Sequence, residues 1–170
     1  MTTRFLRVAT AAFVVALIVG LAWVIRAATG TSNLSVSASV SANCTITTAP
    51  VAFGAYDPIG ANATANLDAT GTVTVACTKG TSATIGLGLG QNPAASVRKM
   101  TDGATGLLTY ELYKDTTRAA VWGNAGTDLL DTGAAPSKAA RNFTIYGRVP
   151  AAQDVAAGTF TDSVVATVNF

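Results

Sequence analysis

The chain closes on a segment, DSVVATVNF (162–170), in which apolar residues recur at every second position. This period is that of a β-strand with one face in a core. The face predicted to be buried comprises Val164, Ala166, Val168 and Phe170. Most chains leave their last residues in solvent, so a core strand here is expected to have an edge that another segment covers. That segment comes either from the same chain or from another molecule.

The first residues of the chain are typical of an export signal rather than of a folded domain. Arg4 and Arg7 precede an uncharged apolar run that ends at Ile25, and small residues follow it. This order is that of a secretory signal peptide, while the length of the run also fits an uncleaved membrane anchor. We assign residues 1–28 to the signal peptide, with cleavage between positions 26 and 31.

Removal of the signal peptide changes the charge of the protein. The whole chain has 11 basic and 9 acidic residues, and three of its arginines (Arg4, Arg7 and Arg26) lie in the signal. Eight basic residues then remain against nine acidic ones, so the basic pI gives no argument for nucleic-acid binding. We predict no nucleic-acid partner, and contact with a membrane only through the signal segment.

Two cysteines, Cys44 and Cys77, follow the signal. An even number of cysteines in an exported chain indicates a disulfide, with two free buried thiols as the alternative. The chain contains no histidine, and two isolated cysteines do not make a zinc site. We therefore predict neither a metal nor another cofactor.

The region after the signal is predicted to be all-β. Short runs of alternating residues are separated by turns rich in Gly, Asn, Asp and Pro, and this spacing is typical of a β-sandwich. The runs lie at 34–46, 71–77, 83–89, 107–113, 119–122, 142–149 and 159–170. The stretch 124–140 is expected to be a long exposed loop.

Two features are similar to catalytic or ligand-binding motifs, and we interpret both as structural. GLGLG (86–90) has neither the glycine spacing nor the following helix of a dinucleotide loop, so it predicts a strand with close backbone approach on its glycine face. Most acidic residues stand beside Gly, Thr or Pro, where they commonly close turns. Without histidine or a free thiol, nucleophilic machinery is hard to assemble, and we predict that the protein is not an enzyme.

A series of motifs, taken in chain order, resembles the spore coat U domain family, which includes the pilin subunits of archaic chaperone–usher pili. The resemblance covers about residues 33–170. Its motifs are the alternating run into Cys44, FGAYDP (53–58), VTVAC (73–77), LTYELYKD (108–115), VWGN (121–124) and the closing block 145–170. The fold that the resemblance implies is an incomplete immunoglobulin-like β-sandwich, which lacks its last strand and is completed by donor-strand exchange.

The resemblance also implies different roles for two segments of the chain. Residues 29–42 would be the donor-strand extension and residues 43–170 the pilin domain, with Cys44 and Cys77 in the family's disulfide. The donor side chains would be Leu34, Val36, Ala38 and Val40. The acceptor groove would be bordered by Val164, Ala166, Val168 and Phe170. Ala38 is small for a groove-filling residue, so its pocket is expected to be shallow.

The implied function is that of a structural pilin subunit supporting adhesion and biofilm formation. Its implied partners are a periplasmic pilus chaperone, an outer-membrane usher and neighbouring subunits in a head-to-tail polymer, and its implied location is the cell surface, reached through the periplasm. One alternative is a secreted surface-layer protein of the same fold, similar to a spore coat protein. Another is a carbohydrate-binding sandwich with a platform of Trp122, Tyr110 and Tyr113. Residues 33–48 would alternatively be one long first strand of a self-contained sandwich.

Overall fold

The computed structural model describes residues 27–170, so nearly all of the predicted signal peptide lies outside the described residues. Residues 40–170 form one compact unit, and residues 27–39 contain no helix or strand. A search of residues 27–170 finds no helix that is long and apolar enough to cross a membrane.

The compact unit is built almost entirely of β-structure, which confirms the predicted all-β class. Two single-turn 3₁₀ helices cover Ala61–Ala63 and Gly126–Asp128. The strands are β1 (Cys44–Ala49), β2 (Leu67–Cys77), β3 (Ser82–Leu87), β4 (Arg98–Thr101), β5 (Leu107–Tyr113), β6 (Leu130–Ala134), β7 (Arg141–Val149) and β8 (Ala166–Asn169).

The strands form two antiparallel sheets that pack as a β-sandwich. One sheet has the order β1-β2-β7-β5-β4 and the other the order β6-β3-β8. Alternate residues of the strands meet in the core between the sheets, as the period of two requires. The core includes Val73 and Val75 of β2, Ile85 and Leu87 of β3, and Ile145 and Val149 of β7.

The final strand is shorter than the sequence predicts. The alternation suggests a strand from 159 to 170, but regular pairing with β3 covers only Ala166–Asn169. Further upstream the segment changes partner, because Thr161 pairs with Thr101 of β4, in the other sheet. Phe170 lies beyond β8 and is 57% exposed, so this chain does not cover it, and its predicted place at the acceptor groove stays a prediction.

Other element predictions also need correction. Residues 119–122 form only an isolated bridge, between Val121 and Tyr113, instead of a strand. The predicted loop 124–140 contains β6, which pairs with β3 through a register shift. Strand β4 was not predicted from the sequence. The run from 34 to 46 becomes a strand only at Cys44, and β3 ends at Leu87, within the GLGLG motif.

A two-residue hairpin before β4 has an unfavourable sequence, which leads to a stability prediction. Ala94 and Val97 exchange two backbone hydrogen bonds (3.1 and 3.0 Å), and Ala95 and Ser96 between them have φ of 48° and 68°. Such turns favour Asn-Gly, because other residues are strained at positive φ. Replacing both residues (A95N/S96G) is expected to raise the free energy of unfolding by about 1–2 kcal/mol, measured by denaturant titration.

The matched control for this hairpin is Ala104→Gly in another exposed turn. Ala104 is not among the residues with positive φ, so the added glycine only increases the freedom of the unfolded chain. This substitution is expected to leave stability unchanged or slightly lower. An equal gain from both variants would contradict the explanation by backbone strain.

Candidate functional site

An open groove runs along one side of the sandwich, between two stretches of chain. One wall is the segment that leaves β1, from Thr48 to Pro58, and the other is the segment from Val155 to Ala166 that leads into β8. The groove contains two adjoining cavities of about 470 and 630 Å³. The walls run in opposite directions, because the smaller cavity combines the start of the first wall with the end of the second.

The floor of the groove is the apolar core itself. Leu87, Leu112 and Ile145 line the smaller cavity, and Leu67, Leu108 and Val149 line the larger one. A groove that opens onto core side chains leaves apolar surface uncovered, an arrangement that favours occupation by apolar side chains.

Four side chains border both cavities and form a waist between them: Val51, Phe53, Met100 and Phe160. The Phe53 ring meets Tyr110 edge to face, with ring centroids 6.2 Å apart. The two cavities meet at these four residues, so an occupant that spans the groove passes against them.

The groove also borders a free sheet edge. Strand β8 pairs with β3 on one side, and in residues 27–170 no strand pairs with its other side. Strand β1 similarly ends the other sheet, since it pairs only with β2. An edge strand presents backbone amides and carbonyls that can accept an added strand. The groove therefore offers both a backbone template and an apolar floor.

The wall before β8 is fixed by polar contacts at several points. Thr101 and Thr161 exchange two backbone hydrogen bonds of 2.9 Å, and the Gly88 amide donates to the Val165 carbonyl at 2.9 Å. Between them, the Tyr110 hydroxyl donates to Asp162 Oδ2 at 2.6 Å. Burial, followed by this hydrogen bond to a carboxylate, raises the pKa of Tyr110 above its usual value. The hydroxyl therefore stays protonated and keeps donating.

Asp162 also shapes the turn after β3. Its Oδ1 accepts the Gln91 amide at 2.8 Å, and Gly90, with φ of +83°, passes so close that a Cβ there would lie 1.9 Å from Oδ2. Only glycine fits this backbone and this approach. Gly90, the last glycine of GLGLG, therefore allows this turn to approach Asp162 in the wall of the groove.

Arg98 is a fully buried arginine below the groove, and its guanidinium joins both sheets. Nε donates to the Gly88 carbonyl at 2.9 Å, and Nη2 donates to the carbonyls of Leu87 and Trp122, both at 2.8 Å. Nη1 forms an ion pair with Glu111 of β5. The sequence interpretation missed this residue. No local signal was available, because strand β4, which carries Arg98, was itself not predicted from the sequence.

The predicted acceptor residues divide into two groups. Val164 and Ala166 line the smaller cavity. Val168 and Phe170 do not line either cavity. Val168 packs against the core cluster, whereas Phe170 is largely in solvent.

The predicted donor residues lie in a segment without regular structure. Leu34, Val36 and Val40 are 87%, 86% and 84% exposed, and Ala38 is exposed as well. Exposed large apolar side chains at alternate positions are typical of a segment that can bind to a sheet edge by strand addition.

The remaining sequence predictions concern the cysteines and the aromatic residues. Cys44 and Cys77 form a disulfide between directly paired positions of β1 and β2. Trp122 is fully buried, with its indole Nε1 donating to the Ile85 carbonyl at 2.9 Å, and Tyr110 is 4% exposed. The predicted sugar platform of Trp122, Tyr110 and Tyr113 is therefore wrong, because two of its rings belong to the core.

Known proteins are similar to this chain in sequence and in fold. The model of the Spore Coat Protein U domain family matches residues 30–167. Protein U of Myxococcus xanthus is 39% identical over 159 residues, covering 85% of this chain and 87% of that protein.

A solved structure shows the same fold. The chaperone–tip adhesion subunit pre-assembly complex from archaic chaperone-usher Csu pili of Acinetobacter baumannii is similar with a TM-score of 0.58 at 20% identity. The match covers 77% of this chain and 40% of that chain, so this protein spans about two fifths of the length of its structural neighbour. The likeness confirms the immunoglobulin-like fold class.

Proposed function

The chain belongs to the Spore Coat Protein U domain family, and on that premise we propose that it is a structural subunit of a chaperone–usher surface pilus. Its groove would receive a strand from a periplasmic chaperone first and from a neighbouring subunit later, at an outer-membrane usher. The observation that carries the proposal is the coincidence of the apolar groove with the free edge of β8. The pilus would serve adhesion or biofilm formation.

The donor in this proposal is the segment 29–42 of a second copy of the chain. Its Leu34, Val36 and Val40 are exposed and share one parity, with serines between most of them. Each buried Leu or Val contributes about 1.5–3 kcal/mol, and the backbone of the donor would pair with β8. Since the donor of one subunit would enter the groove of the next, the contact would be head-to-tail and would build a filament.

The waist of the groove assigns a register to the donor. All strand pairs of both sheets are antiparallel, so we place the donor antiparallel to β8. The small Ala38 then lies against Phe160 at the waist. Leu34 and Val36 enter the cavity of about 470 Å³, and Val40 enters that of about 630 Å³. Two aromatic rings, Phe53 and Phe160, at the junction of the cavities support a donor that has alanine between larger residues.

This register predicts the effect of enlarging Ala38. Ala38→Phe is expected to slow polymerisation about tenfold to a hundredfold, because overpacking costs about 1–3 kcal/mol. The measurement is the rate of polymer formation by purified subunits, followed on native gels. The control is Ser39→Phe, which adds the same ring at the opposite parity, facing away from the groove. Equal rates for the two variants would contradict the register.

The proposal as a whole is tested by deletion. The mature chain and a variant without residues 31–41 are each co-expressed with the cognate periplasmic chaperone. Both are expected to form a soluble one-to-one complex, because the deletion leaves the groove intact, but only the full chain is expected to polymerise. A second variant, L34S/V36S/V40S, keeps the length of the segment and is expected to behave like the deletion. Normal polymerisation of either variant would refute the donor assignment.

A second candidate function rests on the curated relative. The 39% identical relative is called Protein U, and the family takes its name from a spore coat protein. These names support a coat-like surface layer as the alternative assembly. Electron microscopy of the assembled protein separates the two, since a head-to-tail polymer gives thin filaments and a layer gives sheets.

A further inference from the structure

We propose that Met100 is an oxidation site for peroxide-type oxidants, that an occupied groove protects it, and that its sulfoxide hinders the incoming donor strand. This inference rests on the proposed function, because the donor is the molecule that would cover Met100.

The position of Met100 is the first observation behind this proposal. Met100 lies in β4, is partly buried, and borders both cavities at the waist. The sequence contains two methionines, and the other is Met1, within the predicted signal. A mature chain therefore carries one thioether, and it lines the surface that a donor strand would cover.

The chemistry at this thioether is a two-electron oxygen transfer. A sulfur lone pair of Met100 attacks one oxygen of hydrogen peroxide, the O–O bond breaks, and the departing hydroxide takes up a proton and leaves as water. The sulfur is oxidised and the peroxide is reduced, with no further reactant. The product replaces a flexible apolar side chain with a polar S=O group.

The surroundings of Met100 make that product incompatible with a bound strand. The other members of the waist, Val51, Phe53 and Phe160, present only apolar side chains. In the open groove the S=O group is reached by water, but a donor strand would exclude that water and bury the group against these three apolar side chains. Burial of an unpaired polar group is unfavourable enough to slow or weaken donor binding by about tenfold to a hundredfold.

Protection is tested on the assembled polymer. Native polymer and polymer unfolded in urea are treated with the same concentration of hydrogen peroxide, and peptide mapping by mass spectrometry follows oxygen addition at Met100. Slower oxidation in the native polymer, by at least about tenfold, is expected. A second arm treats full-length mature subunits with and without a synthetic peptide of residues 31–42, which is expected to slow the reaction. Equal rates in both comparisons would overturn the proposal.

Inhibition by the sulfoxide is tested with a matched variant. Wild-type and Met100→Leu subunits are oxidised before assembly, and the polymerisation rate of each is compared with its own rate without oxidation. Leucine is close to methionine in size and polarity but has no sulfur. Wild type is expected to slow about tenfold or more and Met100→Leu to be unaffected. If peroxide slows both equally, Met100 is not responsible. Failure of unoxidised wild type to polymerise would count against the proposed function instead, and the peptide arm would still decide protection.

Discussion

Moving residues 33–42 from their own position to a position after Phe170 is expected to convert a polymerising chain into a soluble and more stable monomer. In this variant residues 31–41 are deleted from their own position. A single segment with the sequence of residues 33–42 then follows Phe170 through a flexible linker of about four residues. The donor can then fold back along β8 as the second strand of an antiparallel hairpin and fill the groove of its own chain.

The gain has two physical sources. Leu34, Val36 and Val40, which are exposed in the present structure, would each gain about 1.5–3 kcal/mol from burial. The free edge of β8 would gain a hydrogen-bonded neighbour. The entropy of ordering the segment opposes both terms, and a net rise in the free energy of unfolding is expected. Denaturant unfolding measures the gain, and size-exclusion chromatography establishes the monomer.

Two controls separate groove filling from a general effect of the added tail. In the first, the appended copy carries serine at 34, 36 and 40. In the second, the copy keeps its composition but places the leucine and the two valines at consecutive positions, so that they cannot all face the groove. Both controls are expected to lose most of the gain. If the serine-substituted tail stabilises the chain as much as the native tail, the groove is not the acceptor.

Alternation of apolar and polar residues correctly predicted strands that keep the same partner along their length. β5 was predicted at its observed bounds, and in β8 the inward parity of Ala166 and Val168 is also that observed. This succeeds because alternation directly records which side chains face a core. It fails between 159 and 165, because that stretch pairs with β4 through Thr161 and with β3 through Val165. No local pattern records such a change of partner.

The groove could be foreseen only in part. Its existence followed from the family resemblance, but its waist did not, because Val51, Phe53, Met100 and Phe160 come from three separated stretches of chain. Arg98 was equally hidden, since a basic residue in sequence is normally assigned to the surface. Its burial depends on carbonyl groups of Leu87, Gly88 and Trp122 that only the tertiary fold brings together.

Arg98→Met is expected to lower the free energy of unfolding by about 3–5 kcal/mol, among the largest losses for a single substitution in this domain. Methionine retains much of the volume, so the loss comes from polar groups. Three backbone carbonyls lose their donor and Glu111 loses its cation. Two of these carbonyls, those of Leu87 and Gly88, lie at the end of β3, where the Gly88 amide donates to the Val165 carbonyl in the wall of the groove. Denaturant unfolding of the variant with the appended donor measures the loss, because that variant is expected to be monomeric.

Lys99→Met is the matched control for this prediction. Lys99 is the adjacent basic residue of β4, of opposite parity, and it is not fully buried, so its replacement is expected to change stability by about 0.5 kcal/mol or less. A double variant, R98M/E111L, removes the unpaired carboxylate and is expected to recover part of the loss. Recovery stays incomplete because the carbonyls of Leu87, Gly88 and Trp122 still lack a donor. If Arg98→Met costs no more than Lys99→Met, the guanidinium does not hold the two sheets together, and the wall of the groove must owe its position to its own hydrogen bonds at Thr161, Asp162 and Val165.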